Sequence, residues 1–236
     1  MRPASSRLFF RRLPGAAAAL CWILSGVTAV ILIMAGSGSL LSREMRAWAP
    51  PETTGLPASE YDGVGALVAD YLTDRAERFQ YTYRGSSGAE IRCFQPHEEA
   101  HMADVRGLIR LDRTVLWISL AAAAALTVYG LLSRRAAPEF RRGIRTGLQI
   151  FAVLAGAAAL WALVNFDGLF ITFHRLAFTN DGWLLNPRTD LLIRLMPESF
   201  FISLGRKGAL AALAVPCALG ILSFRILPSN RRGSGQ

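Results

Sequence analysis

The chain has 236 residues, of which 52% are hydrophobic and only 18% are charged. A typical soluble domain is about 25% charged, so this composition disfavours an ordinary soluble enzyme. Of the 26 basic residues, 25 are arginines scattered along the chain, so the net charge of +9 does not indicate a nucleic-acid-binding face. The three cysteines lack the spacing of a disulfide framework, a zinc site or a redox motif.

Four uncharged apolar runs are long enough to cross a bilayer as helices, which takes about 20 residues. They are residues 13–41, 114–133, 147–166 and 208–224. The predicted organisation is an N-terminus and first span (1–41), an outward subdomain (42–113), a second span (114–133), a cytoplasmic loop (134–146), a third span (147–166), an outward catalytic loop (167–207), a fourth span (208–227) and a cytoplasmic tail (228–236).

Arginines flank these spans unevenly, and the positive-inside rule turns this bias into an orientation. The ends predicted to face the cytoplasm carry Arg2, Arg7, Arg11, Arg12, Arg134, Arg135, Arg141, Arg142, Arg145, Arg225, Arg231 and Arg232. Both termini are therefore expected inside the cell. A cleaved signal peptide is disfavoured because the first apolar run is too long, and Leu20 before Cys21 does not fit a lipoprotein signal.

The segment 42–113 predicts a small folded subdomain outside the membrane. Apolar residues recur at helical spacing after Ser59, whose hydroxyl can cap an amphipathic helix. Residues 79–84 and 89–94 alternate around Gly-Ser-Ser-Gly, the pattern of a short hairpin. Pro96 suits the first turn of a helix that can continue to Arg110 and into the second span.

The segment 167–207 is rich in aromatic residues, and we expect it to lie on or dip into the bilayer surface. The polar residues between the aromatic ones would cost free energy there unless paired or solvated. They are His174, Asn180, Asp181, Asn186, Asp190 and Glu198.

The three histidines, His97, His101 and His174, are all expected on the outward side. His97, His101 and Asp104 share one helix face, and residues 97–101 match the H-E-x-x-H pattern of zinc proteases, where a third ligand would be needed. A solvated helix face is the simpler interpretation of His97. Cys93 beside His101 can act as a nucleophile, although a packed thiol is the simpler alternative.

The run FITFHRLAFTNDGWLLNPRTDLLIRLMPESFF (170–201) resembles the signature of the lipoprotein intramolecular transacylase family of bacterial membrane proteins. A second stretch, with Glu98 or Glu99, His101, Asp104 and Val105, resembles that family's E-x-x-H-x-x-D-V element. His97 has no counterpart in this comparison, and Asn186 replaces the aspartate usual before the proline. The resemblance covers about 45 residues.

These patterns together predict an all-α membrane protein with four transmembrane helices, a small extracytoplasmic subdomain (amphipathic helix plus short hairpin) and a membrane-surface aromatic loop, a layout that agrees with the resemblance. The resemblance implies that the acyl chain at the sn-2 glycerol position of a diacylglyceryl lipoprotein moves to the α-amino group of its N-terminal cysteine. The partners are then bacterial lipoproteins and membrane lipid, with no nucleic acid, and neither cofactor nor metal is expected.

Imidazole titrates close enough to neutrality to deprotonate an amine or reprotonate an alkoxide. We therefore expect His174 as general base and His101 as its partner, at the extracytoplasmic face. Asp104 or Asp190 can fix an imidazole tautomer, Asp190 can instead cap the following helix, and Asn180, Arg175 or Trp183 can stabilise an oxyanion. The complete supporting set is Asp104, Asn180, Trp183, Asp190, Arg175 and Glu198.

Two other functions fit parts of the sequence. A non-catalytic membrane adaptor or accessory subunit needs no more than four spans and a small outward domain, and it would tolerate loss of His101 and His174. A zinc protease of the H-E-x-x-H type would bind metal stoichiometrically and would require His97.

Overall fold

The structure is a computed structural model that describes residues 4–133 and 137–225. Arg2, Arg134, Arg135, Arg231 and Arg232, on which part of the predicted orientation depends, lie outside the described residues, as does the predicted tail 228–236. The elements, in chain order, are α1 (Ala4–Ala35), α2 (Gly38–Trp48), α3 (Pro51–Thr54), a 3-10 turn (Ala58–Glu60), α4 (Tyr61–Leu72), β1 (Thr82–Arg84), β2 (Glu90–Arg92), α5 (Pro96–Leu132), α6 (Ala137–Val164), α7 (Phe166–Ala177), α8 (Leu191–Leu195), α9 (Glu198–Ala212) and α10 (Ala214–Arg225).

Among the described residues, four helical segments are long and apolar enough to cross a membrane, as the sequence predicts. They are Arg11–Ala35, Pro96–Leu132, Ala137–Val164 and Glu198–Ser223. The last combines α9 and α10, which are interrupted at Leu213, three residues before Pro216. Proline lacks the N–H that would continue the helix hydrogen bonds, which explains the interruption.

The first helix ends before the predicted end of the first span. Helix α1 ends at Ala35 instead of continuing to Leu41, and Ser37 starts α2 by accepting a hydrogen bond from the Leu40 N–H. Gly36 and Gly38 flank this break, and glycine is a poor helix former. Hydropathy does not register such a break, because glycine and serine carry no charge.

The chain divides into two compact units. The first includes residues 11–26, 117–133, 137–159 and 212–223, and its helices approach closely through glycines. A Cβ atom on Gly143 of α6 would lie 2.1 Å from the Arg12 carbonyl oxygen of α1, and one on Gly15 would lie 1.9 Å from that of Phe140. The Arg12 Nε donates to Glu139 at 3.0 Å, which pairs the same two helices. Small residues of this kind let membrane helices pack backbone to backbone.

The second unit comprises residues 27–116 and 160–211 and holds every histidine. Its core is apolar and includes Met45, Leu56, Tyr61, Val64, Val68, Phe79, Phe94, Leu195 and Phe200. Helices α2 and α4 touch through glycines, since a Cβ on Gly65 would lie 2.7 Å from the Gly38 carbonyl oxygen. The buried Tyr61 hydroxyl bonds to Thr54 Oγ1 at 2.8 Å and to the Ala49 carbonyl.

The segment 42–113 contains a hairpin and an amphipathic helix where its sequence pattern predicts them. Strands β1 and β2 form an antiparallel hairpin in which Tyr83 pairs with Ile91, and α4 buries the apolar residues of its periodic pattern. Ser59 is not the cap of α4, because the 3-10 turn precedes the helix and the Ser59 hydroxyl donates to Glu60 instead. Helix α5 begins at Pro96 and continues without interruption through Leu132.

The segment 167–207, predicted as a loop, is largely helical. Helix α8, all of α7 except its first residue and the first ten residues of α9 lie within it. Helix α7 follows α6 after the single residue Asn165. The Asn165 side chain accepts a hydrogen bond from the Gly168 N–H at 2.8 Å and so starts α7. Helix α7 exposes Phe173 and Leu176, an apolar surface suited to lipid, while it buries His174.

Candidate functional site

His174 occupies the last turn of α7 and is only 8% exposed. Its Nδ1 lies 2.8 Å from the Phe170 carbonyl oxygen one turn earlier. A carbonyl oxygen only accepts hydrogen bonds, so Nδ1 must carry the proton and donate. In the neutral ring, Nε2 then keeps its lone pair and is the atom able to accept a proton.

Aromatic rings enclose the His174 imidazole. Its ring centroid lies 4.0 Å from that of Phe170, 5.3 Å from Phe173, 5.5 Å from Phe178 and 5.1 Å from Trp183. Burial outweighs the hydrogen bond to the Phe170 carbonyl and lowers the pKa of His174 below its ordinary value. The ring is therefore a neutral base at pH 7.

His101 lies one turn into α5 and faces the same site. Its ring centroid is 6.2 Å from that of His174, and the ring meets Phe178 edge-on at 5.3 Å. His101 is also 8% exposed, and its Nδ1 is buried without a hydrogen-bond partner. A buried imidazole nitrogen without a partner is costly, so this nitrogen is available to hydrogen-bond a ligand.

Asp104 and Asn180 bridge α5 to the segment that follows α7. The Asn180 Nδ2 donates to Asp104 Oδ2 at 3.0 Å, and its Oδ1 accepts from the Gly182 N–H at 2.8 Å. The Phe170 carbonyl, rather than the Asp104 carboxylate, holds Nδ1 of the His174 ring. Asp104 instead positions the residues around Asn180, beside the aromatic enclosure.

Asp190 pairs with the imidazole of His97. Its buried carboxylate lies 2.9 Å from His97 Nε2 and accepts from the Asn186 N–H at 2.8 Å and the Thr189 hydroxyl at 2.6 Å. Against the opposing effect of burial, the hydrogen bonds from Thr189, Asn186 and His97 lower the pKa of Asp190. Asp190 stands at the start of α8, but its side chain does not cap that helix.

Glu98 performs the capping that the sequence suggested for Asp190. This fully buried carboxylate accepts the Gln95 N–H at the start of α5 and the Leu192 N–H at the start of α8, each at 2.7 Å. It lies one turn before His101. The sequence signal was its position three residues into a helix that starts at Pro96, where a glutamate closes a capping box. Glu99, the alternative in the E-x-x-H comparison, pairs with Arg92.

The remaining predicted residues lie around this cluster. Trp183 is half-buried against His174, whereas Arg175 is exposed and Glu198 is exposed in the first turn of α9. Burial, with the carboxylates of Glu60 and Glu98, raises the pKa of Cys93 to about 11. The thiol is therefore protonated at neutral pH and poorly suited to act as a nucleophile.

The H-E-x-x-H match does not form a metal-binding group in the part of the chain that the structure describes. No three side chains of histidine, cysteine, aspartate or glutamate come together there as ligands. His97 directs Nε2 to Asp190, while His101 lies beside His174. The two histidines of the pattern thus belong to different clusters.

Comparison with known proteins identifies the family. A family model described as lipoprotein intramolecular transacylase Lit matches residues 16–201. No curated protein matches the chain significantly. The solved structure of the membrane integral lipoprotein intramolecular transacylase Lit from Bacillus cereus superposes with a TM-score of 0.69 at 19% identity, over 92% of this chain and 94% of that chain.

Two variants of the Bacillus cereus protein, each with one histidine replaced, also share this fold. The arginine variant has a TM-score of 0.68 at 19% identity and covers 94% of this chain and 96% of that one. The alanine variant has a TM-score of 0.69 at 17% identity and covers 92% and 93%. Because the family model spans residues 16–201, the chain belongs to the lipoprotein intramolecular transacylases, a family of membrane-integral acyltransferases.

Proposed function

We propose that the enzyme moves the acyl chain from the sn-2 glycerol ester of a diacylglyceryl lipoprotein to the α-amino group of that lipoprotein's N-terminal cysteine. The products are an N-acyl amide and a free glycerol hydroxyl, a lyso-lipoprotein. The observation that carries this proposal is the pair of buried imidazoles, His101 and His174, with ring centroids 6.2 Å apart in an apolar enclosure.

His174 is the general base. The amine nitrogen attacks the ester carbonyl carbon, a C–N bond forms, and Nε2 takes the proton that the nitrogen loses. The proton on Nδ1 is held by the Phe170 carbonyl, which leaves Nε2 as the accepting atom. Proton transfer of this kind typically contributes a factor of about 10² to 10⁴ to the rate.

His101 completes the proton path. When the C–O bond to glycerol breaks, the leaving oxygen needs a proton, and a neutral imidazole can donate one from one nitrogen while accepting one at the other. The unpartnered Nδ1 of His101 supports this role, because nothing in the described protein competes for it. The proton that leaves the amine thus ends on the glycerol oxygen.

Orientation supplies much of the remaining rate acceleration. The amine and the ester belong to one molecule, so the enzyme has only to hold them in contact, and this needs no cofactor. The aromatic enclosure of Phe170, Phe173, Phe178 and Trp183 suits the acyl chain and excludes water, which would otherwise hydrolyse the ester. The hydrogen bond between Asn180 and Asp104 fixes the segment beside this enclosure to α5.

Tandem mass spectrometry of a lipoprotein's N-terminal lipopeptide tests the proposal. The host lacks N-acylation and expresses the wild type, His174→Ala, His101→Ala or His97→Ala. Because the transfer is intramolecular, the parent mass is constant and only the fragments show whether the acyl chain is on glycerol or nitrogen. We expect transfer with the wild type and His97→Ala, and at least about a 100-fold loss with either other variant.

Acyl chains left on glycerol by a folded, membrane-inserted wild type would contradict the reaction. Full transfer by a folded His174→Ala variant would contradict the role of that residue. A requirement for His97 with bound zinc would return the zinc protease to consideration. We further propose that both termini face the cytoplasm and the histidine pair faces the outside, an orientation supported by the arginine bias.

A further inference from the structure

Three arginines on one face of α5 share a single carboxylate. Arg106, Arg110 and Arg113 follow one another at intervals of four and three residues, which places them on one side of the helix. Asp74 Oδ1 accepts from Arg106 Nε at 2.7 Å and from Arg110 Nη2 at 2.7 Å, and Oδ2 accepts from Arg113 Nη1 at 3.2 Å. This arginine cluster therefore carries three positive charges against one negative charge.

The side chains of the arginine cluster are held in place by their neighbours. Asp74 adopts a left-handed backbone conformation with φ of 64°, which aspartate and asparagine tolerate better than most residues. The Arg106 guanidinium stacks on the Tyr71 ring at 4.7 Å and is only 17% exposed, so it anchors the group. The Arg110 and Arg113 side chains remain 55% and 40% exposed. Each guanidinium has five N–H groups, more than one carboxylate can accept.

The position of the arginine cluster along α5 indicates what it faces. Helix α5 has 37 residues and is about 55 Å long, whereas the hydrocarbon core of a bilayer is about 30 Å thick. A span of about 20 residues counted back from Leu132 reaches Arg113. The exposed Trp117 follows one turn later, and tryptophan favours the membrane–water interface. Arg110 and Arg113 therefore lie at the level of lipid headgroups.

We propose that Arg110 and Arg113, held in place by Arg106 and Asp74, bind the phosphodiester of an anionic phospholipid. Guanidinium groups form paired, charge-assisted hydrogen bonds with phosphate oxygens. Asp74 is then an internal counter-anion that preorganises the arginines and competes with the lipid. This site is separate from the histidine pair and takes a lipid that is not the substrate.

Native mass spectrometry tests the proposal. The purified full-length enzyme in detergent is titrated with phosphatidylglycerol or with phosphatidylcholine that has the same acyl chains. The Arg110→Gln/Arg113→Gln double variant keeps the Arg106–Asp74 pair, so the turn stays anchored. Its affinity for phosphatidylglycerol is expected to fall about tenfold or more, since each arginine near an anionic lipid contributes about fivefold. The matched control, Arg84→Gln/Arg188→Gln, removes two exposed charges that do not contact Asp74 and is expected to bind within about twofold of wild type.

Asp74→Asn gives a prediction of opposite sign. Asparagine tolerates the same backbone conformation and its side-chain oxygen still accepts from the arginines, but it carries no charge that competes with the phosphate. Phosphatidylglycerol is therefore expected to bind this variant more tightly than the wild type. Thermal unfolding of every variant checks that it is folded. Equal binding by the two double variants, or weaker binding by a folded Asp74→Asn variant, would overturn the proposal. Displacement of phosphatidylglycerol by inorganic phosphate at the same concentration would overturn the assignment to a lipid.

Discussion

At the scale of single residues, the environment of His174 differs from that of the histidine in a Ser-His-Asp triad. In such a triad a carboxylate holds the ring and stabilises the charged imidazolium. Here a peptide carbonyl, that of Phe170, holds Nδ1, and aromatic rings surround the rest. This environment disfavours the charged ring, so His174 can accept a proton only briefly.

The pH profile reports on this environment. The attacking amine has an ordinary pKa of about 7.7–8.0 and sets one acid limb of the rate. Burial lowers the pKa of His174, so protonation of this base steepens the fall in rate only below about pH 6.5. Trp183→Ala admits water, which raises the pKa of His174 toward its ordinary value and moves this second acid limb to higher pH. The substrate amine titrates identically with both enzymes. An unchanged second acid limb in Trp183→Ala, with Trp161→Ala as control, would contradict this account.

Side-chain partners were the least predictable part of the site. The family resemblance of two stretches grouped His101, Asp104, His174 and Asn180 as candidates for one site. It did not indicate that Asp190 would bond to His97, 93 positions away in the chain. Such pairing depends on tertiary packing, which neither spacing nor composition encodes.

At the scale of elements, Glu98 joins the helix that carries His101 to helix α8. Its two carboxylate oxygens accept one backbone N–H from each helix start. Glu98→Ala leaves two buried donors without an acceptor, and we expect a loss of about 2–4 kcal/mol in stability. Thermal unfolding in detergent measures it as a fall in Tm. Glu99→Ala, which removes a more exposed pair with Arg92, is the control and is expected to cost less than about 1 kcal/mol.

The tight contact between α1 and α6 gives a second prediction at this scale. Gly143→Ala would place a methyl group 2.1 Å from the Arg12 carbonyl oxygen, so the helices must separate. Overpacking of this kind costs about 1–3 kcal/mol. Gly156→Ala on the same helix meets nothing within 4 Å and is expected to be neutral or slightly stabilising. Equal Tm values for the two variants would show that the contact does not limit stability.

Elements with strong periodic patterns were predictable, and breaks within apolar runs were not. Alternation predicted the hairpin of β1 and β2, and Pro96 predicted the start of α5. The break after Ala35 and the helices α7 and α8 were missed. An apolar, aromatic segment looks similar in a loop and in an interfacial helix, because both can bury such side chains against lipid or protein.

At the scale of the whole molecule, the orientation that we propose depends on the arginines that flank the spans. Ser87 lies in the exposed turn of the hairpin. We expect Ser87→Cys to react with a membrane-impermeant maleimide in cells whose outer membrane is permeabilised and whose cytoplasmic membrane is intact. The variant is made in a background where Cys21, Cys93 and Cys217 are replaced by alanine. A cysteine added after Gln236 is expected to react only after lysis. The reverse pattern would place the histidine pair on the cytoplasmic side.

The carbonyl that holds His174 has a consequence for the energy balance of the cell. A ring without a carboxylate partner has no fixed counter-charge with which to store a proton between turnovers. In the proposed reaction the proton given up by nitrogen is returned to oxygen within the same cycle. Turnover therefore draws no protons from either side of the membrane, and it should continue undiminished when an ionophore collapses the proton-motive force.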